Sequence, residues 1–70
     1  MKRTIEQEFG IRVRSLRQML KISQEELSFR AGLNRNYISD VECGRRNVSL
    51  RAIEKIAHGL NVTIDALFIK

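Results

Sequence analysis

The chain has 70 residues, which sets one domain, residues 1–70, as the expectation. It contains no proline and a single cysteine, Cys43, which excludes an internal disulfide and disfavours a turn-rich β architecture; no apolar run is long enough to span a membrane. Thirteen Lys and Arg against eight Asp and Glu leave a net charge of +5, which suits either a solvated basic surface or attraction to a polyanion.

The opening segment is charged and lacks the apolar stretch of a secretory signal, so the expected location is cytoplasmic. Ile5, Phe9, Val13, Leu16 and Leu20 then step by four, four, three and four, tracing one helical face. This predicts a first helix from about Thr4 to Met19 or Leu20, with Glu8, Arg12, Arg14 and Lys21 turned to water. Ser23-Gln24-Glu25-Glu26 has the form of a capping box that starts a second helix, with Leu27 and Ala31 inward. Gly32 stops that helix, Leu33 is a buried plug, and Asn34 caps a third helix whose inward face is Ile38 and Val41. Gly44 ends the third helix, and Arg45-Arg46-Asn47-Val48 reads as a polar loop.

Ser49 caps a fourth helix with a buried stripe of Leu50, Ile53, Ile56, Ala57 and Leu60, broken by Gly59. Thr63 caps a last short helix carrying Ile64, Leu67 and Phe68, with Asp65 in its first turn, where the helix dipole favours an acid. No segment alternates with period two over a useful length. The expected class is therefore all-α, five short helices.

Leu27, Ser28, Ala31, Gly32, Leu33, Ile38 and Val41 stand in the spacing of a helix-turn-helix covering roughly Gln24 to Cys43. Ser28 is small enough for a close helix crossing, and Gly32 turns the corner. With Ile38 and Val41 inward, Arg35, Asn36, Ser39 and Asp40 face outward on the third helix, at the end that meets base edges in such units. Arg35 can bond guanine O6 and N7, and Asn36 can pair with adenine N6 and N7. Asp40 has two readings: an acceptor from cytosine N4, or a solvated acid that repels phosphate. Gln24 can bond a phosphate beside the exposed N–H groups of its helix start. Arg45, Arg46 and Asn47 form a second phosphate-binding group, with Arg51 near in sequence. Tyr37 divides between packing and a phosphate contact through its hydroxyl.

In these segments the chain resembles the Xre/Cro-type family of phage-repressor-like regulators, from Phe9-Gly10-Ile11-Arg12 to Asp65-Ala66-Leu67-Phe68. Leu33-Asn34-Arg35-Asn36-Tyr37-Ile38-Ser39, then Glu42 and Arg45-Arg46-Asn47-Val48-Ser49-Leu50, look most like the controller proteins of restriction–modification systems. The resemblance implies the compact five-helix, lambda-repressor-like fold and a homodimer on a palindromic double-stranded DNA operator, activating at one site and repressing at another. It implies a phosphate contact for Gln24, base reading by Arg35 and Asn36, and further DNA contacts by Tyr37, Ser39, Arg46 and Asn47. Arg17 and Glu42 match a pair that bridges the first helix to the end of the third. Glu25 occupies the place of an acidic residue that can touch RNA polymerase. Val62, Ile64, Leu67 and Ile69 are the candidates for a dimer interface, or else close the monomer core.

The other function classes have less support in the sequence. His58 is the only histidine, and its place near a helix C-terminus explains it. No phosphate loop, nucleophile elbow or carboxylate pair suggests an enzyme, and no cofactor, metal or membrane partner is expected. An antitoxin-like or adaptor domain with a protein partner is the competing function. RNA binding is disfavoured because stacking aromatics are scarce. Cys43 falls near a helix end, where an exposed thiol could sense oxidants.

Overall fold

Each α-helix among the described residues begins on a polar capping side chain, and that fixes where these elements start. The computed structural model describes residues 2–68. Helices α1 (Ile5–Met19), α2 (Gln24–Ala31), α3 (Arg35–Glu42) and α4 (Leu50–Leu60) precede a 3-10 helix, Ile64–Phe68; no strand forms among the described residues. The expected fifth α-helix is thus corrected to a short 3-10 segment, the form that brief closing turns often take.

The hydroxyls of Thr4, Ser23 and Ser49 and the Asn34 amide oxygen accept the N–H groups of Gln7, Glu26, Ala52 and Asn36 at 3.1, 3.0, 3.1 and 2.7 Å. Each accounts for a backbone donor that the helix itself cannot satisfy. The capping box, however, forms at Thr4 rather than at Ser23. Gln7 Oε1 accepts the Thr4 N–H at 2.9 Å, whereas Glu26 pairs with Arg30 one turn along, also at 2.9 Å.

All four α-helices end alike. Lys21, Gly32, Gly44 and Asn61 take left-handed φ values of 58°, 67°, 74° and 57°. The next N–H in each case (Ile22, Leu33, Arg45, Val62) donates to the carbonyl of Arg17, Ser28, Asp40 or Ala57. This is the Schellman closure, which satisfies orphan carbonyls and turns the chain sharply.

Leu27, Val13, Ile38 and Ile56, one from each α-helix, are fully buried at the centre, with Leu60 and Leu67 closing the bottom. Burial on this scale contributes about 1.5–3 kcal/mol per side chain. Leu33, expected as a buried plug, is half-buried against this cluster. Some expected core positions are corrected outright. Ile5 is 69% exposed, Leu50 is 85% exposed, and Leu20 is also exposed, while Ala52 takes the inward place on α4. Ile5 and Leu50 open their helices and Leu20 follows one, positions that overhang the neighbours they would pack against. Arg12 is half-buried instead of solvated, because its Nε donates to the Ala66 carbonyl at 2.9 Å and ties the 3-10 helix to α1.

Gly59 does not break α4, which runs on to Leu60 and is closed by Asn61. A Cβ at Gly59 would stand 3.0 Å from Leu27 Cδ1 and 3.1 Å from the Ala31 nitrogen, so the missing side chain lets α4 press against α2. Leu67 is buried, which corrects its candidacy for a dimer interface; Val62 is half-buried, Ile64 is exposed, and Ile69 lies outside the described residues.

Candidate nucleic-acid interface

Helices α2 and α3 are joined by Gly32, Leu33 and Asn34, so the turn has the length and the glycine of a helix-turn-helix. Ser28 is buried beneath it, and its hydroxyl donates to the Glu25 carbonyl at 2.6 Å, so the small polar side chain is satisfied within its own helix. Because Ile38 and Val41 anchor α3 from below, Arg35 and Asn36 at its start are exposed, and Ser39 and Asp40 are half-buried beside them. Arg35 and Asn36 thus stand on one exposed end of the helix.

Beyond that end, Gly44 reverses the chain so that the Arg45 N–H bonds back to the Asp40 carbonyl at 2.9 Å. The reversal lays two arginines alongside α3. Arg45 Nη1 stands 3.7 Å from Asp40 Oδ1, and Arg46 Nε stands 3.4 Å from Asp40 Oδ2. The Arg46 guanidinium also covers the Tyr37 ring, with its carbon 4.8 Å from the ring centroid. Tyr37 itself packs partly into the core, so its ring is a fixed platform. Asn47 is exposed next to these cations, as is Arg51 on the first turn of α4.

The third group is a polar knot at the start of α2. Arg17 of α1 meets Glu42 of α3 through two hydrogen bonds, Nε to Oε2 at 2.6 Å and Nη2 to Oε1 at 3.0 Å. Its remaining Nη1 donates to the Ile22 carbonyl at 2.9 Å. Gln24 Nε2 adds a bond to Glu42 Oε1 at 3.1 Å. The hydrogen bond to Glu42 raises the Arg17 pKa, against a smaller opposing effect of burial. Glu42 therefore links the three helices and holds the half-buried Gln24 amide by one oxygen of its carboxylate. Glu25, next along, is exposed.

The domain thus presents the exposed side chains of Arg35 and Asn36 at the start of α3 and of Arg45, Arg46 and Asn47 in the loop after it, with the half-buried Gln24 at the start of α2 tied to Glu42. Sequence spacing placed Arg35 and Asn36; it did not indicate the Gln24–Glu42 bond, the Arg46–Tyr37 stack or the Asp40 contacts. Among the described residues, no three His, Cys, Asp or Glu side chains come together as metal ligands would. Nor is any described helix long and apolar enough to cross a membrane.

Residues 13–67 match the helix-turn-helix family model. The chain belongs to the helix-turn-helix family of transcription regulators. Control protein C.BamHI of Bacillus amyloliquefaciens is 53% identical over 55 residues, 77% of this chain and 68% of its own length. Control protein C.MunI of Mycoplasma sp is 43% identical over 61 residues, covering 86% of this chain and 82% of that protein. The crystal structure of the restriction-modification controller protein C.AhdI from Aeromonas hydrophila matches with a TM-score of 0.88 at 46% identity, over 90% of this chain and 96% of that chain. These relatives are regulators, not enzymes. In helix-turn-helix regulators the first helix of the unit crosses the DNA backbone and the second enters the major groove; α2 and α3 hold those places in chain order.

Proposed function

We propose that this helix-turn-helix regulator binds a pseudo-palindromic operator as a homodimer, in the cytoplasm, and controls restriction–modification genes. The observation that carries the reading is the exposed pair Arg35 and Asn36 on the start of α3, flanked by donors on both sides. Two such helices would enter successive major grooves about 34 Å apart. Arg35, Asn36 and Ser39 form the base-reading set; of the two readings of Asp40, the acid that repels phosphate is the better supported, because its carboxylate faces Arg45 and Arg46. Gln24, Tyr37, Arg45, Arg46 and Asn47 form the phosphate-binding set, which supplies affinity and its salt dependence.

The Arg17–Glu42 pair fixes the angle between α1 and α3, and through Gln24 it sets one phosphate contact against the recognition helix. Exposed apolar side chains at Ile64 and Phe68, with Ile5 and Ile11 across α1, support pairing with a second copy. The exposed carboxylate of Glu25 would face RNA polymerase bound beside the operator. The names of the control-protein relatives support the gene context.

Arg35→Ala is expected to relax the preference at one base position and cost about 1–3 kcal/mol of operator binding. Titrating wild type and variant against a series of single-base substitutions of the bound duplex checks this. Weaker binding with the same base preference at every position would contradict a base-reading Arg35. Arg46→Ala is expected to weaken every duplex alike and to flatten the log–log salt dependence by about one unit. Affinities measured over a salt series test that, and an unchanged slope would remove Arg46 from the phosphate group.

A further inference from the structure

Asp40 is the one acidic residue among the outward side chains of α3, and its two carboxylate oxygens face two different arginines. Oδ1 stands 3.7 Å from Arg45 Nη1, and Oδ2 stands 3.4 Å from Arg46 Nε. Neither contact is a bidentate fork, and both guanidinium groups are open to water, Arg45 more so than Arg46. Pairs this loose and this exposed hold only weakly and exchange readily for another anion. The contact is nevertheless built in. The left-handed Gly44 and the bond from the Arg45 N–H to the Asp40 carbonyl at 2.9 Å bring the loop back onto that turn of α3.

We propose that Asp40 is an internal stand-in for phosphate, a carboxylate that occupies Arg45 and Arg46 in the free domain and so lowers their affinity for any duplex. The inference rests on the reading of those two arginines as phosphate-binding. When DNA arrives, each guanidinium exchanges a carboxylate oxygen for a phosphate oxygen. The abandoned carboxylate then lies beside the backbone and holds a cation there, cancelling part of the counterion release that drives binding. Arg46 keeps its place without Asp40, because the Tyr37 ring 4.8 Å below it remains. Removing the carboxylate therefore frees charge without freeing the side chain. A base-reading Asp40 makes the opposite demand, since its loss would weaken operator binding.

The test uses the full chain and a short duplex of random sequence, titrated over a salt series. Asp40→Asn, which keeps the side-chain shape, is expected to tighten binding about three- to tenfold and to steepen the salt slope by up to about one unit. Asp65→Asn removes the same charge from the 3-10 helix and is expected to change affinity about twofold or less, by screening. In an Arg45→Ala/Arg46→Ala background, Asp40→Asn is expected to have no further effect. The proposal is overturned if Asp40→Asn binds no tighter than wild type, if Asp65→Asn matches it, or if the effect persists without the arginines. A wild-type domain that binds no duplex even at low salt would overturn the DNA-binding reading itself, and this inference with it.

Discussion

Glu42→Ala is expected to bring the domain close to unfolding. The Glu42 side chain is 3% exposed and the Arg17 side chain 12%, and the carboxylate takes three hydrogen bonds, two from Arg17 and one from Gln24. Removing it leaves a nearly buried guanidinium with only the Ile22 carbonyl and leaves the Gln24 amide unheld. Breaking one side of such a pair costs about 3–5 kcal/mol. A domain of this size holds about 4–10 kcal/mol in all, so much of its stability goes. Replacing both Arg17 and Glu42 by apolar residues of similar volume is expected to recover most of that loss, because no orphaned charge remains. Thermal melting followed by circular dichroism separates the cases. An alanine variant melting within a few degrees of wild type would show that the knot is not structural. The raised Arg17 pKa puts its contribution fully in place below the unfolded value and lost only as pH climbs through the folded one, far above neutrality. Arg17 titration therefore adds no pH dependence across the neutral range.

Gly10→Ala is expected to be nearly as damaging, although alanine favours an isolated helix over glycine by about 1 kcal/mol. A Cβ at Gly10 would overlap the Val41 carbonyl oxygen and stand 2.8 Å from that of Glu42. Both are backbone atoms, so no rotamer change relieves the overlap. Helix α1 must move away from the last turn of α3. Overpacking of this kind costs about 1–3 kcal/mol, and a backbone obstacle places this variant near about 3 kcal/mol. For a domain of this length that lowers the melting temperature by roughly 12–24 °C. Chemical denaturation would measure the loss directly. A variant as stable as wild type would mean that α1 and α3 approach less closely than described.

The helix-turn-helix was legible because its signals are local. Ser23, Gly32 and Asn34 act on the backbone within a few residues, and the anchors Leu27, Ile38 and Val41 repeat at helical spacing. What misled was the spacing rule applied at helix ends. Ile5 and Leu50 continue their apolar stripes but have no neighbouring helix to cover them. Glycine misled in another way. Read along the chain, Gly59 is a helix breaker; in three dimensions it is where α4 meets α2, and Gly10 is where α1 meets α3. The capping box shifted for an electrostatic reason. Glu26 has Arg30 one turn ahead to pair with, whereas Gln7 has only Ile11 and so turns back to Thr4.

The interface was legible only as far as outward direction goes. Arg35 and Asn36 follow from the helical wheel once Ile38 and Val41 are set inward. The contacts of Asp40 with Arg45 and Arg46 cross the end of a helix, through a reversal at Gly44 that no spacing rule describes. The bond from Gln24 to Glu42 joins residues on different helices, and only packing brings them together.

The central claim, that α3 reads DNA sequence as one half of a dimer, is tested most directly by selecting bound molecules from a pool of random duplexes at about physiological salt. The account predicts enrichment of a two-fold symmetric motif whose half-sites lie about one helical turn apart. Recovery of no motif, with only weak and salt-sensitive binding, would contradict it and leave the helix-turn-helix as a scaffold for a protein partner.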